Sequence, residues 1–532
     1  MITSTLLIPV CNESAYRAWI CDNVFRCIIM DNRPTSRVNQ QFRACDLTTN
    51  MLVDILAEIP SDTESAASDT GSESGETDEE LQLLLPDESV VEFEEDLNEG
   101  VCAESDSVHI LSNATTKFSQ EYGSNISSNK SSSTEIFGCL FGDDLLDHLV
   151  YQTTLYATQK LGGSTVFKPT DINEMKKFLA INLLMSIKKY PSYRDYWSTD
   201  PVLHESYISD LMPRNRFSWL LGHIHANDNS QQSKKGEKGF DKLFKIRPLL
   251  DYLSKRYTES YKPTEHLAVD ESMIRFKGRS SLKQHMPQKP IKHGYKVWVL
   301  ANETGYVSKF QLYTGKIGQE VEKCIGARVV KHLSSELTGK HHKLYFDNYF
   351  TSVPLMLDLK KQGIYACGTV RKGRVGFPKD FENEKNMSRG EFQFRCSGQG
   401  IMALIWKDRK QIQFLSNFHN IENMNTAFRK SKDSSCTEIL CPDIVKDYNT
   451  YMGLVDKSDM VKSLYEIDRK SKKWWHRIFW HFLDVTVVNS CIIYNEHCDN
   501  DQKTLKQFRL PVVASLVVAI SSSTPNRKRS QI

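Results

Sequence analysis

Long apolar runs are missing from this 532-residue chain: the longest, Leu510 to Ile520, is about half of the ~20 residues a bilayer span requires, so no membrane partner is expected. No secretory signal is expected either, since Met1 to Val10 has no Lys or Arg and soon meets Asn12 and Glu13. The 13 cysteines form no tight framework, and a chain this large does not depend on disulfides, which points to reduced thiols in an intracellular compartment. No Gly-rich phosphate loop, Ser-His-Asp arrangement or Cys-His nucleophile pattern stands out. Positive charge is absent from residue 44 to residue 116, where about twenty of the 66 Asp and Glu fall. The rest of the chain therefore sets about 46 acidic against 68 basic residues, and the net charge of +2 conceals a strongly basic body suited to a polyanion such as nucleic acid.

What is present is enough apolar material, 40% of residues, for a substantial core. Ser61 to Glu99, rich in Ser, Glu, Asp and Gly, cannot bury enough area to offset its ordering entropy, and polar Ser124 to Thr134 continues that composition. Residues 1–135 are accordingly expected to be a disordered acidic region. Residues 136–262 read as a helical domain, since Leu145 to Leu161, Asp171 to Lys188 and Phe240 to Tyr257 repeat apolar residues at three and four. Asp171 is placed as a cap, with Glu174 set to reach back to it.

Beyond Pro263 the period changes. His266 to Asp270, Tyr295 to Ala301 and Val307 to Tyr313 read as three strands; a helical stripe from Glu320 to Leu337 precedes strand-like Lys343 to Phe346, helical Ser352 to Lys361 and strand-like Tyr365 to Val370. Three strands followed by alternating helix and strand is the layout of an RNase H-like mixed-sheet α/β core, here 263–371, although periodicity alone admits other α/β folds. Residues 372–445 read as a β-rich insertion. Residues 446–500 read as the last, helical part of the core, ending in a basic-aromatic segment, and 501–532 as a tail.

Asp270 falls at the end of the first core strand and Asp347 at the end of a later one. Asp456 and Asp459, three apart, share a face if their segment is helical. Hard oxygen donors of this kind suit Mg²⁺, and two such ions ~4 Å apart serve in-line displacement at phosphorus. Each Asp taken singly is also an ordinary turn former. Arg469, Lys470, Lys472 and Lys473 immediately precede Trp474, a set that can grip phosphates and stack a base, while Trp475 faces the core. Arg371 and Lys372 are further phosphate candidates, as are Lys289, Lys292, Lys296 and Arg374.

The residues around those aspartates carry a resemblance. Ala268-Val269-Asp270-Glu271-Ser272-Met273, Phe346-Asp347-Asn348-Tyr349-Phe350-Thr351-Ser352 and Gly453-Leu454-Val455-Asp456-Lys457-Ser458-Asp459, in that order, resemble the three catalytic blocks of piggyBac transposases. Met286-Pro287-Gln288-Lys289-Pro290, Gly368-Thr369-Val370-Arg371 and Tyr196-Trp197-Ser198-Thr199-Asp200 also match, so the resemblance covers residues 136–494. It implies that Asp270, Asp347 and Asp456 are a metal-binding catalytic triad of the DDE superfamily, with Asp459 a fourth acid at the metals. It further implies two Mg²⁺ ions, with Mn²⁺ as a substitute, and cut-and-paste cleavage and strand transfer between transposon ends and TTAA targets in double-stranded DNA. Action as a homodimer in the nucleus follows from the same resemblance, as does DNA binding or dimerisation for the helical domain, residues 136–262.

The chain departs from the family in one respect that matters. Many members end in a Cys-rich zinc-binding domain, whereas here Cys491 and Cys498 alone follow Cys441, without zinc spacing. An alternative is therefore a domesticated, transposase-derived nuclear DNA-binding protein without catalytic activity. A metal-dependent nuclease unrelated to transposition is a third reading.

Overall fold

The computed structural model describes residues 116–162, 167–287, 289–315, 324–381, 383–421, 423–430, 436–498 and 501–518, so the acidic run from residue 44 to residue 115 lies outside the described residues. The polar stretch just before residue 136, expected to be disordered, has structure from residue 116. Gly123–Ser124 (β1) pairs antiparallel with Tyr261–Lys262 (β2), and Asn125 donates its backbone N–H to Ser260 at 2.9 Å. Composition misleads here because the stretch gains order from partners distant in sequence rather than from apolar area of its own. Ser132 and Glu135 then form a reciprocal cap that opens α1 (Ser133–Leu140).

The helical segment continues with α2 (Asp143–Leu161), α3 (Ile172–Met185), α4 (Ser206–Leu211), α5 (Arg214–His223) and α6 (Arg247–Ser260). Asp171 caps α3 by accepting the Glu174 N–H at 2.8 Å, but the Glu174 carboxylate does not reach back. It is taken by the Arg216 guanidinium of α5, a stronger charge-assisted partner. The helix expected from Phe240 begins at Arg247, with Pro248 in its first turn, where the missing N–H costs nothing.

The strands are β3 (His266–Arg275), β4 (Gln284–His285), β5 (His293–Asn302) and β6 (Val307–Leu312), followed by α7 (Ile325–Leu333), β7 (Lys343–Phe346), α8 (Val353–Lys361) and β8 (Tyr365–Val370). After β9 (Phe392–Cys396), β10 (Met402–Lys407) and β11 (Gln411–Ser416), a two-stranded ribbon forms from β12 (Met424–Lys430) and β13 (Cys436–Pro442). One nine-stranded mixed sheet runs β4-β5-β3-β7-β8-β11-β10-β9, with β6 also on β5; β3, β7 and β8 are mutually parallel and the other pairs antiparallel. Of the strands within 372–445, β9, β10 and β11 thus extend the core sheet beyond β8, while β12 and β13 stand apart as the ribbon.

The last helices are α9 (Asp443–Tyr451), α10 (Leu454–Ser463), α11 (Trp474–His497) and α12 (Leu505–Val518). The part of the tail up to residue 518 is not peripheral, because α12 buries Phe508, Val512 and Val513 in the core of the helical segment. Strand β3 is covered on both sides: Ala268 and Ile274 pack into the core built with α1, α3, α6 and α11, and Leu267 and Val269 into a second one built with α7 and α8. Burial on both faces explains why β3 lacks clean alternation, and pairing with β5 carries it through polar Glu271 and Ser272 to Arg275.

Candidate active site

Asp270 lies within β3 rather than at its end. The parallel ladder between β3 and β7 closes with Val269 opposite Phe346, so the next residues on the two chains, Asp270 and Asp347, leave neighbouring strands ~4.8 Å apart. Asp347 is fixed by its own turn. Its Oδ1 accepts the Tyr349 N–H at 2.9 Å, and its carbonyl accepts the Thr351 hydroxyl at 2.8 Å. Arg374 secures this turn by donating to the carbonyls of Asn348, Tyr349 and Thr351, a commitment that replaces its expected phosphate role.

Two close approaches seat the turn. A Cβ on Gly368 of β8 would lie 2.3 Å from Thr351 Oγ1 and 2.8 Å from the Phe346 carbonyl, and one on Gly326 of α7 would lie 2.8 Å from the Tyr349 carbonyl. Gly368→Ala is therefore expected to destabilise the fold by about 1–3 kcal/mol in denaturant unfolding. Wild-type stability would mean that Thr351 moves aside at no cost.

Asp456 arrives on α10, which packs on β3 and β5 and is tied down where Lys457 Nζ donates to the Glu303 carbonyl at 2.7 Å. It occupies the first turn, where the helix dipole favours a carboxylate. Asp459, one turn further, is directed to the Ser272 hydroxyl, which donates to its Oδ1 at 2.8 Å, and to Lys462 at 3.5 Å. It neighbours Asp456 but has partners of its own.

Burial pushes the Asp270 carboxyl up to about 7; Lys289 opposes that rise, and the charges of Asp456 and Asp347 add to it. Asp347 and Asp456 are likewise raised, chiefly by burial. Lys289 Nζ stands 3.6 Å from Asp270 Oδ2. Burial works against its charge, but Asp270, Asp456, Glu271 and Asp347 together hold its pKa above the ordinary lysine value.

As the side chains stand, no three His, Cys, Asp or Glu groups among the described residues close into a ready cage for an ion, so the expected four-carboxylate convergence is not formed in that sense. Lys289 sits beside Asp270, and Asp459 turns to Ser272. The donor set nevertheless fits a hard divalent cation: Asp270, Asp347 and Asp456 offer only carboxylate oxygens, and the charges of Asp347 and Asp456 repel that of buried Asp270, so the set gains from added positive charge. Glu271, on the opposite face of β3 by strand alternation, is paired with Lys296. Strand alternation could have announced that separation; nothing local in the sequence announces the path of Lys289.

The expected DNA-contact residues divide. The Arg469 guanidinium is turned inward, 5.3 Å from the ring centroids of both Tyr193 and Phe217, and burial lowers its pKa to about 10; it packs rather than facing a phosphate. Lys473 Nζ donates to the Gly222 carbonyl at 2.5 Å and lies over Tyr156. Groups of the helical segment compete for both cations, two aromatic rings and the Met185 sulfur for Arg469, a carbonyl and a ring for Lys473. Lys470, Lys472, Arg371 and Lys372 are exposed, Arg371 donating to Asn348 Oδ1 at 2.8 Å beside Asp347. Trp474 is half-buried, edge-on to Tyr295 at 6.5 Å, and Trp475 is buried.

The Transposase IS4 family profile matches residues 132–491 of this chain. Human PiggyBac transposable element-derived protein 3 is 30% identical over 389 residues, 71% of this chain and 64% of that protein. Human PiggyBac transposable element-derived protein 2 is 27% identical over 405 residues, 74% of this chain and 67% of that protein. The chain thus spans just under two thirds of the first relative's length. Among solved structures, a cryo-EM structure of the piggyBac transposase synaptic complex with hairpin DNA superposes with a TM-score of 0.65 at 23% identity, covering 77% of this chain and 86% of that one, which establishes the shared α/β fold. With the family profile spanning residues 132–491 and piggyBac-derived relatives aligning over 71% and 74% of its length, the chain belongs to the piggyBac transposase family.

Proposed function

We propose that this chain is a DNA transposase that cleaves double-stranded transposon ends and transfers them to TTAA targets by cut-and-paste chemistry, acting as a homodimer in the nucleus. The observation that carries the reading is the parallel register that sets Asp270 beside Asp347, with α10 packed on β3 so that the Asp456 charge bears on Asp270. Those three carboxylates are the catalytic ligands, and Asp459, one turn further on α10, is a fourth acid near the metals. Two Mg²⁺ ions bound there, or Mn²⁺ in their place, would supply activation of the attacking oxygen and stabilisation of the leaving oxygen. The chain's own share is to hold the acids rigidly: the Asp347 turn rests on Arg374 and Thr351, and α10 on Lys457. Arg371, Lys372, Lys470 and Lys472, exposed near this face or next to α11, are suited to backbone phosphates, and half-buried Trp474 to a stacked base.

The test is incubation of the purified 532-residue chain with Mg²⁺ and DNA carrying matched terminal repeats. Nicking or joining that stops on chelation is the expected result; a folded, DNA-bound protein that leaves every strand intact would count against the reading. A second reading, a transposase-derived DNA-binding protein without chemistry, is favoured by the curated relatives, which are named as transposable element-derived proteins. A gene lacking flanking inverted repeats and TTAA would support it.

A further inference from the structure

Lys289 differs from the other basic residues around the site. It comes from the turn between β4 and β5, and its ammonium lies 3.6 Å from Asp270 Oδ2 and 3.3 Å from the Glu271 carbonyl, largely withdrawn from water. The charges of Asp347 and Asp456 also bear on it. Lys296, the other nearby lysine, is matched by Glu271 across the strand and adds no net charge to this face. Three carboxylates, buried Asp270 with the more accessible Asp347 and Asp456, facing one ammonium leave an excess of negative charge, and a compact cation on a flexible stem is suited to offset part of it.

Resting on the reading that these carboxylates take divalent cations, we infer that Lys289 is an internal counter-ion: it holds Asp270, Asp347 and Asp456 together before cations arrive, and competes with them for Asp270. It is a positioning residue, not a catalytic one. Its charge stabilises the cation-free chain and weakens cation binding, so the two properties are coupled with opposite sign.

The experiment follows the melting temperature of the 532-residue chain in EDTA and along Mn²⁺ and Mg²⁺ titrations, for wild type, Lys289→Met and Lys289→Arg. Lys289→Met is expected to melt lower than wild type in EDTA, to be raised more by Mn²⁺, and to reach half-saturation at about tenfold lower Mn²⁺, because a unit positive charge has left the site. Lys289→Arg, which keeps the charge, should stay near wild type. If wild type responds to Mn²⁺ but the three proteins melt and titrate alike, the counter-ion role is overturned while the metal site stands. If none responds to either ion, the metal reading itself fails and the inference with it. Should Lys289→Met yield no folded protein, Asp270→Asn/Lys289→Met, which removes one charge of each sign, is expected to fold and melt like wild type in EDTA; failure to do so overturns the inference.

Discussion

Asp347→Ala is expected to lower Mg²⁺-dependent strand cleavage by about 10²–10³-fold or more, the loss that follows removal of one fixed electrostatic group from a preorganised site. The fold should survive. The side chain makes one internal hydrogen bond, to the Tyr349 N–H, while the turn keeps the Asp347 carbonyl bonds to Thr351 and the three carbonyl contacts of Arg374. Asp347→Asn is the sharper companion, since an amide oxygen can still accept from Tyr349 but carries no charge. Circular dichroism and melting temperature close to wild type, together with lost cleavage, would assign the effect to chemistry. Equal cleavage by wild type and Asp347→Ala would remove this site from the mechanism.

Arg509→Met is expected to destabilise the chain by about 3–5 kcal/mol, the cost of leaving one partner of a buried ion pair without its opposite. Arg509 on α12 and Asp484 on α11 are almost fully enclosed and bonded to each other. Asp484 also accepts the Ile467 N–H at 2.7 Å, and Arg509 donates to the Tyr465 carbonyl at 2.7 Å. The pair thereby clamps the link from α10 to α11, so its loss loosens the helix that carries Asp456. Burial outweighs Arg509 and raises the Asp484 carboxyl even with the pair intact, which shows how costly that charge becomes alone. Asp484→Leu/Arg509→Met, with both charges removed, should recover most of the stability in urea unfolding. A single Arg509→Met variant as stable as wild type would mean that water or another cation reaches Asp484.

The sequence made much of the core legible where period and turn chemistry act locally. Lys343 to Phe346 and Tyr365 to Val370 read as strands and are strands, because short apolar runs bounded by Gly and Asp have few other uses. The sequence pattern ends the first core strand at Asp270, yet the strand runs five residues further. Its two faces meet different neighbours, so Glu271 is matched by Lys296 and Ser272 by Asp459. The basic run before Trp474 read as one phosphate-binding strip. Folding separates it, turning Arg469 and Lys473 onto Tyr193, Phe217, Tyr156 and Gly222, residues more than 200 positions away in the chain.

By itself, the sequence determined that the chain builds a helical segment and an α/β core, that its body is basic, and that its acids sit in piggyBac-like blocks; each follows from periodicity, composition or residue order. Tertiary structure alone decided that β9, β10 and β11 of the 372–445 segment extend the core sheet, that α12 completes the helical core, and that Lys289 lies against Asp270 while Asp459 lies against Ser272. The reason is the range of the forces involved. Helix and strand preferences are settled within a few residues, but the partner of a buried charge is whichever opposite charge or donor the packed chain brings within a few ångströms, and sequence distance does not encode that.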